Sequence, residues 1–206
     1  MHKAFQAMLM TAAVFGATLA ATGSAPAADA YRIDHTHAWI SFSIRHGAWA
    51  HYLGMFHTIT GVISFDKDNV SASTVDAAIA AATIDTSNAE RDQGELQTLG
   101  FLNAQKFPEI TFKSTSIQKT GDNRATITGN LSMAGITKPV SLDTTFNAQA
   151  YSPFSGQMTA GFSATGSLNT NDFGMTGVPP LDIGPVVNFA IEIEAYKCGL
   201  TCGEVE

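Results

Sequence analysis

Four stretches of this 206-residue chain alternate apolar and polar residues with a period of two, each for about ten residues. Ala125, Ile127, Gly129, Leu131 and Met133 interleave with Thr126, Thr128, Asn130 and Ser132. Val140, Leu142, Thr144, Phe146 and Ala148 do the same, as do Met158 to Leu168 and Val187 to Ala195. A period of two is the period of a β-strand, so each stretch carries one apolar and one wet face, the pattern of antiparallel sheet. Four more strands are expected at about 37–46, 55–66, 73–86 and 109–119. Turn residues separate the runs at Lys67-Asp68-Asn69, Gly121-Asp122-Asn123 and Gly135-Ile136-Thr137-Lys138-Pro139.

One stretch breaks the rhythm. Ser87-Asn88-Ala89-Glu90 fits a capping box, and Gly100 fits a helix end, so a helix is expected over 88–99 within an insertion near 88–106. Eight long strands and one helical insertion make an all-β domain, either a closed barrel or a sandwich. The inner faces mix bulky residues such as Phe146, Phe162 and Phe189 with small ones such as Ala125, Gly129, Ala160, Ala164 and Gly166. Small residues either leave a void that takes an apolar guest or let the barrel taper. Periodicity leaves both interiors open. It also leaves the Pro-rich loop from Phe173 and Met175 to Pro185 as either a lid or a plug. A bulge at Gly61 would reverse the faces of strand 55–66.

Residues 1–27 read as a secretory signal peptide, with Lys3, the apolar run Phe5 to Ala21 and small-residue cleavage sites ending at Ala27 or Ala30. An uncleaved anchor is the alternative, but the apolar run is short for a span of ~20 residues. Residues 28–206 then form one domain, exported most simply to a bacterial periplasm. The chain has 11 Lys and Arg against 18 Asp and Glu; losing Lys3 moves the net charge from −7 to −8. That charge disfavours nucleic acid and anionic lipid surfaces as partners. No segment after the signal is apolar enough for stable membrane insertion. Cys198 and Cys202 fit a small tail-closing disulfide, since export permits one.

Catalytic motifs are thin: no nucleophile elbow, no phosphate loop, and acids (Asp85, Glu90, Asp92, Glu95) that fit a solvated helix face. The protein therefore reads as a binder and not an enzyme. All five histidines after residue 27 fall between 35 and 57, and His35 and His37 would share a face of a strand. A metal-binding or electron-transfer accessory is thus the alternative function, set against plain surface histidines.

The order of several motifs resembles one family. Tyr31-Arg-Ile-Asp34-His35-Thr-His37-Ala-Trp-Ile-Ser-Phe42-Ser-Ile-Arg-His46, Gly54-Met-Phe56, Gly61-Val-Ile-Ser-Phe65-Asp66, Ile84-Asp85-Thr86 and Arg91-Asp92 are its first half. Phe101-Leu102-Asn103, Phe107-Pro108, Gly129-Asn-Leu131-Ser-Met-Ala-Gly135-Ile-Thr137-Lys138-Pro139-Val140 and Asn171-Asp172-Phe173-Gly174-Met175 are its second. Together they resemble the YceI-like, polyisoprenoid-binding family over about residues 31–197. The resemblance implies an extended eight-stranded lipocalin-like barrel, often exported and often a homodimer. Its ligand would be a long isoprenoid or similar amphiphilic lipid (polyprenyl phosphate, quinone, or fatty amide or acid) in a hydrophobic tunnel, with no further cofactor.

Strand parity then assigns the expected tunnel wall. Phe42, Ile44, Ile110, Phe112, Ile127 and Leu131 form one part; Met133, Leu142, Phe146, Phe162, Phe189 and Ile191 form the other. Phe173 and Met175 join them from the loop, and His46, in phase with Phe42 and Ile44, meets a polar head at one mouth. Gln93-Gly94-Glu95 and Thr170-Asn171-Asp172 replace a His and an Arg frequent in the family, which points to a less charged head such as a quinone or a free isoprenoid.

Overall fold

The computed structural model describes residues 28–98, 100–175, 183–199 and 202. The expected signal segment and residues 176–182 of the expected lip lie outside the described residues. Ten strands follow one another: β1 Asp29–His46, β2 Ala50–Phe56, β3 Ile59–Phe65, β4 Thr74–Ala80, β5 Ile84–Asp85, β6 Glu109–Gly121, β7 Arg124–Met133, β8 Ile136–Tyr151, β9 Met158–Asn169 and β10 Ile183–Lys197. They occupy eight positions. β2 pairs with the Ile40–His46 half of β1 and β3 with its Asp29–Arg32 end, so the two are one interrupted strand. β5 extends β4 in the same way, against β2. The sheet closes where β10 pairs with β1, giving an eight-stranded antiparallel barrel. Closure leaves no continuous open edge.

The end that carries His46, Met133 and Asn169 is here the upper end, and the end with Asp29 and Tyr151 the lower. At the lower end the side formed by β1, β9 and β10 is closely packed: Tyr31, Ala160 and Ala195 have no exposed surface, and Gln149 Nε2 donates to the Tyr31 hydroxyl. Above this floor Phe65, Phe146 and Phe162 meet with ring centroids 5.0–5.7 Å apart.

Four local features depart from the periodic expectation. First, the ladder between β1 and β10 jumps from Ile33↔Ala195 to Ala38↔Ile193, so Asp34-His35-Thr36-His37 bulge outward. Asp34 accepts from the Thr36 backbone N–H (2.9 Å) and hydroxyl (2.6 Å) and from His37 Nδ1 (2.8 Å), an Asx-type turn inside a strand. Second, strand 55–66 reverses its faces at His57-Thr58 and not at Gly61; register is continuous from Ile59 to Ser64. Gly61 has φ 148°, and a Cβ there would lie 2.3 Å from the Asp76 carbonyl oxygen. Third, the helix expected over 88–99 is present but shorter and wider: an α turn, Ala89–Arg91, runs directly into a π-helical segment, Asp92–Leu96. Its cap is Asn88, whose Oδ1 accepts from Arg91 N. Asp92 is drawn inward by Thr86, and Gly94 supplies no helix preference to continue the turn. Fourth, the β7–β8 turn is Ala134-Gly135 alone, and Ile136 to Pro139 already pair with β7.

The small inward residues fall into two groups. Some are roofed by phenylalanine. A Cβ at Gly54, Gly129 or Gly166 would lie 2.4, 2.4 or 2.6 Å from Cζ of Phe42, Phe112 or Phe189. Each ring lies on the bare backbone of the neighbouring strand, a packing that only glycine admits. Others, Ala125 and Ala164 among them, face open space. Gly129→Ala should therefore destabilise the barrel by about 1–3 kcal/mol, because its Cβ meets the Lys113 carbonyl as well as the ring. Urea unfolding checks this, and an unchanged midpoint would show that the ring does not need the glycine.

Candidate functional site

A cavity of about 1360 Å³ runs inside the barrel. Its wall comes from all eight strand positions, because inward side chains alternate along every strand. The middle is apolar: Ile40, Ile63, Ile79, Ile110, Leu142 and Ile191 are typical of it. Charged and amide side chains appear only towards the ends. The cavity is therefore greasy in the middle and polar at both openings.

Of the residues expected on the tunnel wall, Phe42, Ile44, His46, Ile110, Phe112, Ile127, Leu131, Met133, Leu142, Phe146, Phe162, Met175, Phe189 and Ile191 all line the cavity. Phe173 does not. It lies in the turn Thr170–Phe173, 2% exposed, and contributes to a shallower hollow on the outside of β1, β2, β8, β9 and β10. The parity argument never applied to it, since it sits beyond the strand. The sequence argument also missed Tyr52, Phe56, Ile59, Ile63 and Phe65, because the face reversal at His57-Thr58 carries no periodic signal. From the helical insertion it missed Arg91, Leu96, Phe101 and Leu102, which cover the upper opening.

The upper opening carries a fixed polar column. The His46 ring stacks on Tyr52 at 4.2 Å between centroids and 24° between planes. The Arg91 guanidinium lies 4.6 Å from the Tyr52 ring centre. Such a contact contributes about 0.5–1 kcal/mol at a partly exposed site. Arg91 is held from behind: Nε donates to Thr86 Oγ1 and a terminal nitrogen to the Thr86 carbonyl, both at 2.8 Å. The Thr86 hydroxyl in turn donates to Asp92 at 2.5 Å, and Thr86 N donates to the same carboxylate at 3.0 Å. Asp92 is only 6% exposed, so this carboxylate serves as an anchor inside the fold and not as part of a solvated acid face. Glu90 and Glu95 also line this end, so acids outnumber Arg91 here. The lower opening lies to the side, between the β3–β4 loop and the β6–β7 turn. It is lined by Lys67, Lys119 and Arg124 against Asp68 and Asp122.

One polar atom sits within the apolar section. The Thr144 hydroxyl is buried without a partner, the one such side-chain atom among the described residues. The Cys198 and Cys202 sulfurs are bonded, closing a loop of the tail with Cα atoms 5.2 Å apart.

The histidines do not assemble. His35 and His37 lie on the outward bulge. The hydrogen bond and charge of Asp34 hold the His37 imidazole above its usual pKa. Among the described residues no group of three or more His, Cys, Asp or Glu comes together.

Comparison with known proteins agrees with this architecture. The YceI-like domain matches residues 31–195. "Protein YceI" of Salmonella agona (strain SL483) is 40% identical over 188 residues, covering 89% of this chain and 94% of the relative. A Campylobacter jejuni YCEI protein of known structure is 30% identical and superposes with a TM-score of 0.66 over 75% of this chain and 90% of that one. A polyisoprenoid binding domain from Saccharophagus degradans, implicated in plant cell wall breakdown, is only 11% identical. It shares the fold with a TM-score of 0.61, over 82% of this chain and 99% of its own. With the match running from the first barrel strand to the last, this chain belongs to the YceI-like domain family.

Proposed function

We propose that the protein is a carrier or sequestering protein for a long-chain isoprenoid or similar amphiphilic lipid. The hydrocarbon lies in the barrel and a weakly charged head sits at the upper opening. The single observation that carries this reading is the size and lining of the cavity. The space opens to solvent at both ends, so it is filled, by water against an apolar wall or by a guest. Replacing that water with hydrocarbon gains ~0.8 kcal/mol per buried CH₂. A tail of ten to twenty carbons contributes several kcal/mol net once its ordering is counted.

The solved structure of a polyisoprenoid binding domain with this fold supports the choice of ligand class. The column of His46, Tyr52 and Arg91 supports the choice of head. With Glu90 and Glu95 beside it, a doubly charged phosphate is disfavoured and a carbonyl-bearing head, as in a quinone or fatty amide, is favoured. Arg91 offers a donor for such a group, and the Tyr52 ring, stacked on His46 and covered by Arg91, holds that donor in place. Hydrocarbon binding discriminates poorly between tails, so selectivity rests on length and on this column. The apolar run Phe5 to Ala21 with its small-residue cleavage sites and the Cys198–Cys202 disulfide support export to an oxidising compartment, most simply a periplasm. A homodimer is part of the same family-based proposal. Among the described residues the metal-binding alternative has no cluster of ligands to favour it.

Two variants test the assignment. Ala164→Phe places a ring in the open middle of the barrel and should weaken uptake of a fluorescent prenyl probe by about tenfold or more, that is 1.4 kcal/mol. Titration of the folded variant, verified by circular dichroism, reads this out; undiminished affinity would move the ligand elsewhere. Arg91→Gln should weaken binding of a carbonyl-headed prenyl chain by roughly threefold to tenfold, the worth of one hydrogen bond. The same variant should leave a plain hydrocarbon of equal length unaffected, and equal losses for both would remove the head from the upper opening.

A further inference from the structure

The tip joining β1 to β2 forms part of the rim of the upper opening, since His46 and Tyr52 on either side of it line the cavity. On the side of this hairpin the rim is apolar and outward-facing, across from the charged side of the opening at Glu90, Arg91 and Glu95. Trp49 at the tip is 85% exposed and Leu53 68%. Val186, near the upper start of β10, is 47% exposed. From Gly47 to Phe56 there is no Asp, Glu, Lys or Arg. Trp49 N closes the turn onto the His46 carbonyl, and Arg45 Nε donates to the Gly47 carbonyl, so the tip is a structured turn.

We propose that this hairpin rests, shallowly and reversibly, on a zwitterionic lipid surface, and that it brings the upper opening against that surface. The carrier reading supplies the reason for such docking, but the argument stands on the rim itself. An uncharged tip enters the headgroup layer without stripping water from an ion. An indole is the side chain best suited to that layer, apolar over its ring with one polar N–H. The acidic chain, at net −7, gives no attraction to anionic lipid, so the chemistry that fits is a neutral interface. Another exposed aromatic pair does not compete on geometry. Phe154 and Tyr151, 99% and 71% exposed, belong to the β8–β9 hairpin beyond the packed floor, and neither lines the cavity.

The chain has two tryptophans, so Trp39→Phe leaves Trp49 as the only reporter. In that full-length protein, phosphatidylcholine vesicles should shift the emission to the blue, and phosphatidylcholine brominated on its acyl chains should quench it. Adding Leu53→Ser should weaken the vesicle partition about tenfold, the order of magnitude of one large apolar side chain. Phe154→Ser should leave it unchanged, and phosphatidylglycerol vesicles should bind no more tightly than phosphatidylcholine. Unshifted, unquenched emission would overturn the proposal. So would equal weakening by Phe154→Ser, much tighter binding to the anionic vesicles, or a shift that follows protein concentration and not lipid, which would make the occupant a second copy. Uptake of a prenyl probe from detergent solution tests the carrier reading separately. Trp49→Ser should bind that probe as the parent does, and loss of probe binding would instead make Trp49 part of the ligand site.

Discussion

A sheet that closes on itself settles the hydrogen bonds of its two edge strands and leaves its volume to the side chains inside. Eight strands enclose a space that side chains can just fill, so the contents depend on which residues point inward. In this barrel Tyr31, Ala160 and Ala195 pack closely on one side of the lower end, and the length above is not filled. Everything functional follows from that division. The floor and the ladder supply a rigid frame, and the unfilled length above supplies a place where hydrocarbon is better off than in water.

The open length depends on where the large rings go. Phe42, Phe112 and Phe189 are bulky enough to obstruct the barrel, yet each lies along the wall over a glycine of the adjacent strand. The rings thus shield bare backbone while keeping the centre clear. The same economy appears at the top, where a buried carboxylate, Asp92, orients Thr86, and Thr86 orients Arg91 over Tyr52. A cationic group is held flat at the rim and cannot swing into the apolar section.

Much of this was legible in the residues. The runs in β7, β9 and β10 gave their inner faces correctly, because unbroken alternation maps directly onto a pleated strand; in β8 this holds as far as Phe146, beyond which a bulge leaves Ala148 exposed and turns Gln149 in to Tyr31. The expected wall residues from these strands and from β1 and β6 do line the cavity. What escaped was every place where backbone geometry interrupts the period. Asp34 folds four residues out of β1, and His57-Thr58 reverses a face; neither changes the composition of its strand. The helix is shorter than its pattern and widens from Asp92, whose carboxylate serves Thr86, a contact that a local helix pattern does not contain. Phe173 escaped for a simpler reason: a loop residue has no parity. The column of His46, Tyr52 and Arg91 joins residues up to 45 positions apart: the β1–β2 hairpin sets His46 beside Tyr52, and the pairing of β5 with β2 brings the segment carrying Arg91 to both.

The central claim is that the barrel is occupied by lipid in the setting where the protein works. Native mass spectrometry of the protein purified from its own compartment, followed by organic extraction, tests this most directly. The account predicts a single apolar guest per chain, lost to organic solvent and indifferent to chelators. A protein of bare mass, or one whose extra mass leaves with a chelator, would contradict it.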